Sequence, residues 1–156
     1  MVELADLAVS ELSDLLRRRE VSPVELATHV LDRIDDHDEH RHSFVTVTRE
    51  RALAEAARAE RDLADGSARG PLHGIPFAVK DLFDVEGEVT GAGTHLLADN
   101  LAARDASVVR RLSDSGMVLV GKTHTVQFAY GGVGINLQHG TPHNPWHREP
   151  HQRAGD

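Results

Sequence analysis

The sequence predicts an α/β fold, a partial mixed and mostly parallel sheet covered by helices, with a helical pair at the N-terminus. Three observations point there. Stretches with apolar residues at helical spacing alternate with short, β-branched or wholly apolar runs. Two of those runs, Ile75 to Val79 and Met117 to Val120, are apolar at successive positions, as strands buried on both faces are. Ser22-Pro23-Val24-Glu25 punctuates a helix start, with a capping serine, a proline fitted to the first turn and a glutamate that completes a capping box.

In chain order, Ser10 is placed to cap a helix to about Arg19, with Leu12, Leu15 and Leu16 on one face. The second helix follows Ser22 and buries Val24, Leu26, Ala27, Val30, Leu31 and Ile34. Residues 35–42 are polar and charged and read as a turn, and residues 43–48 as a short strand. The Ala-rich stretch 49–64 carries Arg and Glu at helical spacings, and Gly66 stops it. A loop at Arg69-Gly70-Pro71 leads into the strand ending at Lys80. Short strands are expected near Gly87, irregular chain over 91–103, a helix capped by Asp105, a strand from Met117 and a helical turn within 123–129. From Gly131 onward Gly, Pro, Asn and His dominate. This divides the chain into a helical pair (1–42), an α/β part (43–146) and a polar tail (147–156).

Composition removes several functions. The 156 residues carry a net charge of -8, which argues against a nucleic-acid or anionic-membrane surface. The one basic run, Arg17-Arg18-Arg19, reads as a solvated helix end. With no cysteine there is no disulfide, thiolate nucleophile or Cys-ligated metal. Acidic residues stand where a signal peptide needs basic ones, and no run is long enough to span a membrane, so a cytoplasmic location is expected. Among seventeen Lys and Arg residues only Lys80 and Lys122 are lysines. Lys80 closes the apolar run Gly74 to Asp81, where a buried amine can lose its proton and act as a base, which Arg cannot do.

Several patterns imitate other chemistries. Gly116 to Thr123 matches the P-loop letter for letter. Its four middle residues are Met-Val-Leu-Val, a strand whose N–H groups are committed to a ladder instead of a phosphate. His139, His143, His147 and His151 recur every four residues, but Gly140, Pro142, Pro145 and Pro150 forbid the helix that would align them; no metal or cofactor is expected. His147-Arg148-Glu149-Pro150 imitates the H-x-E of zinc deaminases without their cysteines. Gly131-Gly132-Val133-Gly134 reads as a loop needing positive φ or close backbone approach.

Taken together, several stretches resemble the amidase signature family. They are Gly70 to Asp81, Arg104 to Leu112, Val118 to Thr123, Gln127 to Gly131, and Gly140-Thr141-Pro142-His143-Asn144-Pro145-Trp146, in the family's order and spacing over roughly residues 5–146. The resemblance implies hydrolysis of the carbon–nitrogen bond of a linear amide, or ammonia release from glutamine, by a Ser–cis-Ser–Lys triad. Lys80 matches the catalytic lysine; Lys122 matches a structural lysine at a neighbouring strand end.

The Gly-Gly-Ser-Ser-rich segment that follows in the family, and carries the bridging serine, has no match after Trp146. Neither triad serine can be assigned. The chain therefore reads as an N-terminal, truncated fragment that contributes the lysine and is inactive by itself. A small amide is the implied substrate, and a general amidase is preferred over the glutamine-hydrolysing subunit of an amidotransferase. The alternative is a non-catalytic binding or assembly module. Sheet edges left open in a fragment favour self-association.

Overall fold

A computed structural model describes residues 3–146. Four helices and three strands alternate as expected: α1 (Val9–Arg18), α2 (Pro23–Arg41), β1 (Phe44–Val47), α3 (Arg49–Ala64), β2 (Pro76–Lys80), α4 (Ser107–Asp114) and β3 (Val118–Thr123). Short 3-10 turns lie at Leu4–Asp6, His95–Leu97 and Gln127–Ala129. The strands form one mixed sheet in the order β1-β3-β2. β1 runs antiparallel to β3, and β2 runs parallel to it: Val118 N–H donates to the Ile75 carbonyl at one end, Asp81 N–H to the Thr123 carbonyl at the other. Central β3 is buried along its first five residues.

Two compact units can be distinguished. The first holds the described residues up to Ile34, together with Thr48–Ala78 and Arg110–Val120. Its core is Leu12, Leu16, Val21, Leu26 and Ile75, flanked by Leu4, Leu7, Leu15, Val30, Leu63 and Met117. The α2 capping box forms as its sequence implies, with Glu25 N–H donating to Ser22 Oγ at 3.0 Å and Ser22 N–H to the Glu25 carboxylate at 3.5 Å. The start of α1 differs from expectation. The cap is Ala8, whose N–H donates to Glu11 at 2.8 Å, and Ser10 lies within the helix. Arg19, in the left-handed conformation after α1, donates to the Leu63 and Ala64 carbonyls at 2.8 Å each, so part of the basic run caps the C-terminus of α3.

α3 turns Ala52, Ala56 and Ala59 inward, small residues that allow close approach. Its Glu55 accepts the Leu119 N–H at 2.8 Å, and Thr48 Oγ1 donates to the Leu119 carbonyl at 2.9 Å. His73, almost fully buried, places a ring nitrogen 3.1 Å from the Ala59 carbonyl and packs where any Cβ on Gly116 would stand.

The second unit holds Asp35–Val47, Val79–Val109 and the described residues from Gly121. The region expected to turn at 35–42 instead continues α2 to Arg41. No Pro or Gly interrupts it, and it ends where His42 takes a positive φ. The Asp38 carboxylate then accepts the Ser43 and Phe44 N–H groups at 2.7 and 3.0 Å and directs the chain into β1. Near Gly87 the only strand-like pairing among the described residues is the bridge between Val89 and Leu101.

Candidate active site

Lys80 is the last residue of β2. Side chains alternate along this strand. Val79 and Asp81 turn inward, whereas Ala78 and Lys80 are exposed. The expectation of a buried amine at Lys80 is therefore not met here. The apolar run covers one face of the strand well, but the face bearing Ala78 and Lys80 is open among the described residues. No hydrogen-bond acceptor or carboxylate engages the Lys80 amine among those residues.

The fully buried lysine is Lys122, on β3. Its Nζ lies 2.9 Å from Asp81 Oδ1, 2.5 Å from the Val89 carbonyl oxygen and 3.1 Å from Thr90 Oγ1. Three ammonium hydrogens meet three acceptors, so the charge is fully compensated. Asp81 in turn receives the Gly91 N–H at 3.4 Å on its carboxylate, and its backbone bonds Thr123 and Ala92 at 2.9 and 3.0 Å. The residue next to Lys80 is thus tied to β3 and to the turn at 89–92. Lys122 occupies a structural position, as its place in the motif implies. Asp81 was legible only as a charge closing an apolar run; what marks it is the strand alternation that turns it inward.

The P-loop imitation fails for the expected reason. Residues 118–123 are strand, and helix α4 precedes Gly116. Both matching glycines have packing causes: a Cβ on Gly116 would strike the His73 ring, and one on Gly121 the Thr46 carbonyl and the Phe44 ring. Among the described histidines, the His139 ring lies tilted against that of His95 at 4.6 Å between centroids, and the His143 ring against that of His42 at 5.7 Å. No group of three or more metal-ligating side chains suited to an ion occurs among the described residues. His147 and His151, the H-x-E imitation and the polar tail lie outside the described residues. No described helix is long and apolar enough to cross a membrane.

Beside the candidate lysine, burial holds the His124 ring below the ordinary histidine range. The Gly134 backbone carbonyl opposes that shift by favouring the charged ring, while the positive charges of His139, His42 and Lys80 reinforce it.

Residues 131–134 do not behave as expected. None of the three glycines there has positive φ, and no tight backbone approach requires them. The left-handed conformations fall just before, on Phe128 and Ala129. The residue that organises this loop is Asn136, which is buried. Its Nδ2 donates to the Gly93 and Thr125 carbonyls at 2.7 and 2.9 Å, and its Oδ1 accepts the N–H groups of Gln138 and His139 at 2.8 and 3.1 Å. An asparagine in a polar loop gives no sequence signal for this role.

The Amidase family model matches residues 25–151. The chain belongs to the amidase family. Among amidase-family relatives, a glutamyl-tRNA(Gln) amidotransferase subunit of Azoarcus sp. is 46% identical over 143 residues, covering 92% of this chain and 29% of that protein. Among solved structures, the peptide amidase of Stenotrophomonas maltophilia superposes with a TM-score of 0.85 at 32% identity, covering 92% of this chain and 31% of the other. A protein described under a vestigial complex and the evolutionary origins of an s-triazine catabolic enzyme gives 0.86 at 34% identity, covering 89% of this chain and 31% of the other. The amidase-family chain described here thus spans about three tenths of the length of these relatives.

Proposed function

We propose that this chain supplies the lysine of an amide-hydrolysing centre, with Lys80 as the amine of a Ser–cis-Ser–Lys triad. The observation that carries the proposal is the contrast between the two lysines. Lys122 is bound by three acceptors, whereas Lys80 ends the motif-bearing strand with an amine that nothing among the described residues engages. In such a centre a neutral lysine draws a proton through the bridging serine, and the nucleophilic serine attacks the amide carbonyl. Backbone N–H groups hold the oxyanion, and the proton passes to the departing amine. In the complete centre the open face of β2 that bears Ala78 and Lys80 is covered. Both the cover and the two serines are proposed to come from amidase-domain sequence beyond these 156 residues, so the chain alone is inactive.

The experiment is an amide-hydrolysis assay on the purified chain. No turnover above background is expected, since removal of triad members costs about 10⁴–10⁶ in rate. Hydrolysis by the chain alone would show that it holds a nucleophile and contradict the proposal.

A second reading concerns the substrate. The 46% identity to an amidotransferase subunit favours glutamine as the amide and ammonia as the useful product, against the general amidase preferred from the sequence. Relative rates on glutamine and on a peptide C-terminal amide, measured with a complete centre, separate the two.

A further inference from the structure

The histidines His42, His95, His124, His139 and His143 gather in the second unit around the loop 131–143. The His95 and His139 rings lie 4.6 Å apart between centroids, and the His42 and His143 rings 5.7 Å. Hydrogen bonds fasten the chain at the same places. His143 N–H donates to the Arg41 carbonyl at 3.0 Å, His124 N–H to the Ser43 carbonyl at 2.8 Å, and His95 N–H to Gln138 Oε1 at 2.7 Å. A His95 ring nitrogen stands 3.1 Å from the Gln138 carbonyl oxygen. Both ring nitrogens of His124, and Nε2 of His139, are closed off from solvent with no hydrogen-bond partner of ordinary geometry among the described residues. A neutral imidazole tolerates such a place at modest cost; an imidazolium, with two N–H donors and a charge, does not.

The charges that bear on His124 are those of His139, His42 and Lys80, all cationic, and the Gly134 carbonyl favours the charged ring against them. Neither β1 nor the loop itself contains a carboxylate side chain. At the end of α2, Asp38 is committed to the Ser43 and Phe44 N–H groups, Glu39 and His40 are exposed to solvent, and Arg41 adds a further positive charge. At the end of β2, Asp81 is committed to Lys122. His95 is the one titratable residue of the turn 91–98. Protonation therefore sets cation against cation where the loop is fastened. We infer that the loop 131–143 is an acid-sensitive latch. It is closed against the end of α2, the exit of β3 and the turn at His95 while its histidines are neutral, and lets go when they take up protons. Asn136, within the loop, ties the Gly93 and Thr125 carbonyls, so release also frees the turn near Gly93 and the chain leaving β3. The sign follows from His124. Burial holds its ring below the ordinary 6.5, opening returns it to water, and the open form therefore gains a proton and grows as pH falls below 6.5. The latch is independent of the triad proposed for Lys80.

The test is amide hydrogen exchange of the 156-residue chain, read by NMR and corrected for the intrinsic exchange rate at each pH. Protection of the Asn136, Gln138, His139 and His143 amides is expected to fall about tenfold between pH 7.5 and 5.5, the change that one histidine kept neutral in the closed form produces. Protection of the Leu119 and Asp81 amides, which belong to the sheet, is expected to hold over the same range. The paired substitution His124→Gln and His139→Gln removes two of the proton sites and is expected to reduce the fall at the loop to less than about threefold. Long-range proton–nitrogen spectra of the parent chain give a reading that does not depend on the variant folding: the His124 ring is expected to be neutral at about pH 6 wherever the loop is still protected. Loop protection that does not change with pH, an equal fall at Leu119 and Asp81, a full response in the double variant, or a charged His124 ring inside a protected loop would each overturn the inference.

Discussion

Lys122 and Asp81 face each other across β3 and the end of β2, Nζ to Oδ1 at 2.9 Å, both almost wholly removed from solvent. The pair fixes the residue next to Lys80 without using Lys80 itself. Removing one partner leaves a charge buried without compensation. Lys122→Met is therefore expected to cost about 3–5 kcal/mol of stability in urea unfolding. Combining it with Asp81→Leu should recover part of that loss. A Lys122→Met variant as stable as the parent would show that the pair is not formed in solution.

The two lysines should differ sharply towards an amine-reactive acylating reagent. Lys80 is exposed, whereas Lys122 can react only after local or global opening. Mass spectrometry of a brief labelling is expected to find Lys80 modified at least about tenfold faster than Lys122, with the difference abolished in denaturant. Equal rates under native conditions would contradict the assigned burial.

Gly116 has a φ of 82° and faces the His73 ring at the position a Cβ would take. Gly116→Ala combines left-handed strain with overpacking and is expected to destabilise by about 2–4 kcal/mol. Adding His73→Ala should relieve the overpacking but not the backbone strain. A neutral Gly116→Ala, measured by thermal and urea unfolding, would place the ring elsewhere.

His124 gives a pH dependence of definite sign. Its folded-state pKa lies below the ordinary 6.5, chiefly through burial, so the unfolded chain binds the proton more readily. The contribution is constant above about pH 7 and is lost as pH falls through 6.5 towards the lower folded value. Urea midpoints should therefore drop between pH 7.5 and 5.5, and His124→Gln should flatten that drop. An unchanged slope in the variant would assign the effect to other groups.

Local signals were legible where the chain's own neighbours decide the structure. Helix α3 spans the predicted 49–64, and the Ser22–Glu25 box closes as its spacing implies, because both are settled within one or two turns. The burial expected of the Lys80 amine was not met because an apolar run does not say which face of a strand is covered. Val79 and Asp81 are buried while Ala78 and Lys80 are not, and that depends on what packs over the sheet. α2 outran its expected end because the charged segment holds no Pro or Gly to stop it, and Asp38 turns the chain only beyond Arg41, through the Ser43 and Phe44 N–H groups. Asn136 was invisible because its four partners lie up to 43 residues away or in an irregular turn. Family membership, by contrast, was readable from the motifs around Lys80 and Lys122.

The most direct measurement is amide turnover by the chain assembled with the portion of the Azoarcus relative that follows its matched residues, comparing the parent with Lys80→Ala. Turnover in the assembled parent, at least about 10³-fold lower in Lys80→Ala and absent from either chain alone, is the expected result. Turnover in Lys80→Ala within tenfold of the parent would contradict the role assigned to Lys80.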